Sequence, residues 1–267
     1  MKEQLFAGAF LTALAAGSAM AADMPAYKAP PPVAGLSWTG FYIGGNAGDA
    51  WGTSDVTFVF PPFNSGVPPL LAAGSPTFKP NGFTGGLQTG YNFQFGYWVA
   101  GAEFDINYLG LKASRQTLTT TVPFGLDPFN FADSIETSWL LTVRPRIGLA
   151  VDRTLIYVTG GLAVANQKFS QTLTFNSPTL LLDLNAGSVS KAQAGWTVGG
   201  GLEYMVTGNW SFKAEYLYAD LGQVGFDSFN TLVPTVTGDH DERLRINIVR
   251  AGINYRFDSY SPVAARY

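Results

Sequence analysis

The strongest constraint on this chain is a period of two that begins at Trp38 and runs through eight segments, each with one apolar and one polar face. In the second segment Phe83, Gly85, Leu87, Thr89, Tyr91 and Phe93 share one face, while Thr84, Gly86, Gln88, Gly90, Asn92 and Gln94 share the other. Successive side chains of a β-strand point to opposite sides, so this is the pattern of strands with a different solvent on each face. The third segment repeats it around Trp98 to Tyr108, the fourth around Trp139 to Leu149, and the last around Val249 to Phe257. The first, Trp38 to Trp51, is glycine-rich and less regular, with Phe41, Ile43 and Ala47 on its apolar side.

The connections narrow the architecture. Three are tight, at Phe95-Gly96, Asp152-Arg153 and Thr207-Gly208-Asn209; four are long, at about 52–80, 110–134, 167–192 and 222–242. Short turns on one side and long loops on the other are the habit of outer-membrane barrels. Four long loops and three turns require eight strands, with both ends of the barrel on the turn side. Charged residues make up 13% of the chain and aromatics 14%, against about 25% charged in a soluble domain. A surface so short of charge faces something other than water. After the first twenty residues there is no apolar run long enough for a spanning helix, which needs about 20 residues. A closed barrel is the other way to cross a bilayer with every backbone group paired. The expected fold is therefore all-β: an eight-stranded antiparallel up-and-down transmembrane β-barrel with an N-terminal signal peptide. Five of the six tryptophans share the apolar parity, as aromatic girdles require, and Trp38 is the exception.

Residues 1–21 read as the signal peptide, with Lys2 ahead of an apolar stretch and small residues before a cleavage between Ala21 and Ala22. Residues 22–37 are proline-rich and read as a periplasmic tether, 38–257 as the barrel, and 258–267 as a C-terminal extension. The localisation this implies is the cell outer membrane.

The polar faces collect Glu103, Asp105, Glu203 and Glu215 against Arg144, Arg146, Lys213 and Arg250. The lumen of an eight-stranded barrel has room for side chains and little else, so these charges are expected to pair there as a structural plug with trapped water. An ion or proton pathway is the sharper alternative. No catalytic constellation, cofactor site or metal site is expected. The single histidine, His240, is weighed as a weak cation ligand or a partner of Ser228, but its spacing matches no ligand motif, and a hydrated loop accounts for it. GGLQTG at 85–90 and TGGLA at 159–163 lie in strands with no following helix, unlike phosphate loops. With a net charge of −3 and no cysteine, neither nucleic-acid binding nor disulfide or zinc-ribbon chemistry is indicated.

Several stretches carry a family resemblance: WTGFYIGGNAGDAWG (38–52), GLQTGYNFQFGYWVAGAEFDI (86–106), RPRIGLAVDRTLIYVTGGLA (144–163), WSFKAEYLYADLG (210–222) and AGINYRF (251–257). In these the chain resembles the small outer membrane immunogenic proteins of alphaproteobacteria, surface antigens within the OmpA-like barrel superfamily. The resemblance implies exposed antigenic loops, a role in envelope integrity or host contact, and no catalytic residues. The expected partners are outer-membrane lipid and lipopolysaccharide, host or surface ligands at the loops, and the barrel assembly machinery. Ile253, Tyr255 and Phe257 match the alternating aromatic pattern that such machinery recognises in a last strand. A surface protein is thus expected first, with a narrow pore as the alternative and a lipid-modifying enzyme third.

Overall fold

In the computed structural model, residues 36–59, 75–119, 129–175, 183–184, 188–229 and 237–257 are described. Eight long strands form the wall: β1 Gly40–Val59, β2 Asn81–Phe95, β3 Trp98–Thr119, β4 Phe129–Val151, β5 Thr154–Phe175, β6 Ser188–Met205, β7 Trp210–Phe229 and β8 Thr237–Arg256. Each pairs antiparallel with its neighbour in sequence, and β8 pairs with β1 from Tyr42↔Arg256 to Val59↔Asp239, which closes the barrel. Closure leaves no free edge within the membrane, where an unpaired backbone group would cost several kcal/mol. The predicted signal peptide, its Ala21–Ala22 cleavage point, most of the tether and the extension after Phe257 lie outside the described residues.

Turn chemistry is local and legible. Gly96 adopts φ 61° in the β2–β3 hairpin, and Asp152 adopts φ 51° in the β4–β5 hairpin. Both are residue types that tolerate the left-handed region. At the third turn the Thr207 hydroxyl accepts from the Trp210 amide at 3.1 Å.

The long connections differ from expectation. Most of the residues assigned to loops at 110–134, 167–192 and 222–242, and the first eight of 52–80, are strand, so that β4 reaches 23 residues and β3 and β5 reach 22. About 9–11 residues suffice to span; the wall therefore stands well clear of the membrane on the loop side. The extra length was hidden because the outward face there turns polar while the inward face turns apolar. In β4 the inward set also changes from even to odd numbers, between Leu140 and Thr137. The pairing shifts register at this point, and the irregularity is satisfied by Asn166, whose Oδ1 accepts from the Ser138 amide at 3.1 Å and hydroxyl at 2.8 Å. His240, expected in a loop, lies on β8 opposite Phe58 and Phe226.

Beyond the membrane the wall divides. Pairing of β6 with β7 stops at Trp196↔Asp220, and that of β2 with β3 at Asn81↔Lys112. The loop end is thus two curved sheets among the described residues. One is β3–β4–β5–β6. The other is β7–β8–β1, extended by the two-residue strand Thr77–Phe78 on β1.

Candidate functional site

The outward face carries the membrane contact. Phe41, Ile43, Leu87, Tyr91, Phe104, Ile106, Val158, Leu202, Phe212 and Ile253 are each at least two-fifths exposed although strongly apolar. Trp51, Trp98, Trp196 and Trp210 stand at the two borders of this belt. Trp38 behaves differently. It is 2% exposed and packs with Val99, Ala150, Leu155, Tyr157 and Met205 inside the turn-end mouth. Its parity was irregular in the sequence because it plugs the barrel instead of facing lipid.

The lumen has three layers. Above the Trp38 plug lies the charged set, and all eight of the residues singled out from the polar faces meet there. Arg144, with 0% of its side chain exposed, binds Glu103 Oε1 and Asp105 Oδ2 at 2.7 Å each and Glu215 Oε1 at 3.2 Å. Its Nε donates to Thr142 Oγ1 at 2.9 Å. Arg250 reaches Glu215 at 2.6 Å and Asp105 at 3.0 Å. Lys213 Nζ binds Glu103 at 2.7 Å and Glu215 at 3.5 Å. Arg146 binds Glu203 at 3.2 Å and Glu103 at 3.5 Å, and its Nε donates to Asn92 at 2.8 Å. The guanidinium of Arg146 also lies over the rings of Tyr42 and Tyr157, 4.7 Å and 5.2 Å from their centroids.

Neutral donors complete the set. Tyr42 Oη donates to Glu103 at 2.8 Å and Tyr157 Oη to Glu215 at 2.9 Å. Ser211 and Asn254 donate to Glu203 Oε1 at 2.5 Å and 2.8 Å. Buried charges survive only when paired and hydrogen-bonded, and here each has two or more partners. Tyr42 was not among the residues singled out. The signal that places it was available, since Phe41 and Ile43 face lipid and the residue between them must face inward. Gly90 makes room for it, because a Cβ there would run into the Tyr42 hydroxyl.

The third layer was not expected. Above the charges the lumen is filled by Leu109, Leu111, Ile135, Leu140, Phe169, Leu217, Leu221, Leu244 and Ile246, all 2% exposed or less. Two carboxylates are enclosed at this loop end, beyond the level of the belt tryptophans. Glu242 on β8, opposite Val56, accepts from Ser54 Oγ at 2.8 Å, and burial pushes its carboxyl up to about 7. Asp133 on β4, 3% exposed and opposite Gln171, is raised by burial to about 6. Ile253 and Phe257 face outward with Tyr255 between them in the turn-end girdle, where Tyr255 packs against Trp210 at 5.0 Å and Phe257 at 5.1 Å.

A closed wall, an apolar outer belt and a filled lumen together describe an integral membrane barrel. The family described as outer membrane protein beta-barrel domain matches residues 9–257. The chain belongs to this family. Within it, the chain is 35% identical over 255 residues to a 31 kDa outer-membrane immunogenic protein of Brucella melitensis, covering 93% of this chain and 98% of the relative. It is 29% identical to a 22 kDa outer membrane protein of Rhizobium leguminosarum, covering 87% and 83% respectively. Among solved structures it is similar to Neisserial surface protein A, at 14% identity and a TM-score of 0.37, covering 82% of this chain and 98% of that one. The protein is a surface barrel of the outer membrane.

Proposed function

We propose that the barrel is a closed anchor, neither conducting nor catalytic, that holds its loop end outside the cell for contact with host or environmental surfaces. The observation that carries this is the layering of the lumen. A polar path through the charged middle would end against Trp38 and Met205 below and against Leu109, Phe169 and Leu244 above. The chemically potent side chains are enclosed and bonded to one another. Glu103, Arg144, Lys213 and Glu215 are each 4% exposed or less, which keeps them from touching a substrate. The names of the relatives as immunogenic proteins support exposed loops.

Reconstitution in planar bilayers tests the closed state: a silent membrane is expected, and stepwise conductance would favour the narrow pore instead. Proteolysis of intact cells tests the orientation. Cleavage is expected in the long connections 60–74, 120–128, 176–187 and 230–236, and cleavage at Asp152-Arg153 would reverse it. Export with cleavage between Ala21 and Ala22, and assembly through Ile253, Tyr255 and Phe257, belong to the same reading. The mass of the mature N-terminus and the yield of folded barrel after Phe257→Ser check them.

A further inference from the structure

Two seams run up the loop end, and each starts beside a bulge. Pairing of β6 with β7 stops at Trp196↔Asp220, and just above it Leu221 and Gly222 of β7 oppose the single residue Leu244 of β8, with Gly222 at φ 69°. Pairing of β2 with β3 stops at Asn81↔Lys112, and just below it Leu109 and Gly110 of β3 oppose Ser138 of β4. A bulge bends the strand that carries it. Each sheet thus has a bent strand at its root. Above the seams no backbone pairing joins the two sheets among the described residues. Gln193 Nε2 reaches across one seam to the Gln223 carbonyl at 3.4 Å, and the rest is apolar packing around Phe169.

The closed arrangement serves its polar groups badly. Thr137 Oγ1 and both amide atoms of Gln167 are buried without a hydrogen-bond partner, and each residue is 1% exposed. Buried polar groups are otherwise almost always bonded. Glu242 faces the same interior from β8 against the Ser54 hydroxyl, and Asp133 faces it from β4 beside Gln171. Burial raises these carboxyls to about 7 and about 6. The charged side chains described at inward positions around them are Arg115 on β3 and Lys191 on β6, both exposed. Arg115 opposes the rise at Asp133, and no cation offsets the burial of Glu242. On β7–β8–β1, Asp55, Asp220, Arg243 and Arg245 pair with one another on the outward face.

We propose that the loop end is a two-state clamp, closed while Glu242 and Asp133 carry their protons and swung apart about the two bulges once they ionise. One carboxyl stands on each sheet, so ionisation puts like charges on both sides of a dry interface. Separation of the sheets hydrates both carboxylates. The same movement brings water to Thr137 and Gln167, so the open state relieves a defect of the closed one. The charged layer and the Trp38 plug lie below the seams and stay sealed. The clamp therefore changes the surface that the loop end presents and opens no ion path, and the bilayer recording above decides conductance separately.

The chain has no cysteine, so spin labels can be placed in pairs on the full barrel in nanodiscs. T57C/S170C puts one label on an exposed position of each sheet, on β1 and β5, and I43C/V158C labels the same two strands within the belt. Pulsed electron-resonance distances are then read from about pH 5 to about pH 8.5. In the first pair a longer distance should grow in as the pH rises through about 6 to 7, and the belt pair should not change. The ratio of long to short populations should rise about a hundredfold or more, because both carboxyls hold their protons more tightly when the clamp is closed. Glu242→Gln should cut this rise to about tenfold, and D133N/E242Q should abolish it. The belt distance reports the folding of every variant. A single distance at every pH, a shift to shorter distances, or an undiminished rise in D133N/E242Q would overturn the proposal.

Discussion

Phe78 and Phe169 meet edge to face with ring centroids 6.4 Å apart, and they join the two sheets of the loop end across the lumen. Phe78 belongs to the short strand beside β1, and Phe169 to β5. Phe169 is 0% exposed and sits in the apolar layer that seals the charged interior. Phe169→Ala should therefore leave a cavity and lower stability by about 3–5 kcal/mol. Urea unfolding in detergent micelles reads this directly. A loss under about 1 kcal/mol would mean that the two sheets are not joined here.

The charged layer makes a different demand. Arg144→Ala removes the shared partner of Glu103, Asp105 and Glu215. Stranding buried carboxylates costs about 3–5 kcal/mol. Arg243→Ala breaks an ion pair whose arginine side chain is 44% exposed, and Asp220 keeps the Gly222 amide at 3.0 Å and Arg245 at 3.9 Å, so no charge is stranded. The same unfolding assay should rank Arg144 far above Arg243. Equal losses would argue that the interior set is hydrated and screened.

How much of this was legible in the sequence depends on which solvent faces each strand. Where lipid lies outside and charge inside, alternation reads cleanly, and Phe104 beside Glu103 and Asp105 is enough to assign both faces. Beyond the belt the environments exchange places. Lys112 and Ser114 face water outside, while Leu109 and Leu111 face an apolar lumen. The period of two persists but its meaning reverses, so these residues looked like polar loop. In β4 the change of inward parity around Ser138 hid the reversal further. Trp38 stands out by its parity, but a tryptophan at a strand end fits a girdle or a plug equally well, and only tertiary packing separates them.

Gly90 and Tyr42 test the close packing of the lower lumen. The wall comes near enough to the Tyr42 ring that no Cβ fits at position 90. Gly90→Ala must move both the Ala102 carbonyl and the Tyr42 ring, whose hydroxyl now donates to Glu103 at 2.8 Å. Overpacking of this kind costs typically about 1–3 kcal/mol. Tyr42→Phe in the Gly90→Ala background should recover little of the loss, because the ring Cζ and the Ala102 carbonyl still crowd the added Cβ at 2.6 Å and 2.5 Å. Full recovery would place the strain at the hydroxyl alone.

Glu242 gives the loop end a pH dependence of definite sign. Burial raises its carboxyl from 4.5 to about 7, and the Ser54 hydrogen bond only partly opposes this. The folded state thus holds a proton that the unfolded chain releases. Its contribution to stability is complete below about pH 4.5 and is lost as the pH rises through 7, amounting to at most about 3 kcal/mol. Asp133, raised in the same direction by burial, adds to the trend. The barrel should accordingly unfold at lower urea concentration at pH 8.5 than at pH 5. Glu242→Gln keeps the hydrogen-bonding shape without the charge, so it should flatten most of that difference and raise stability at the alkaline end. An undiminished pH dependence in Glu242→Gln would locate the titrating group elsewhere.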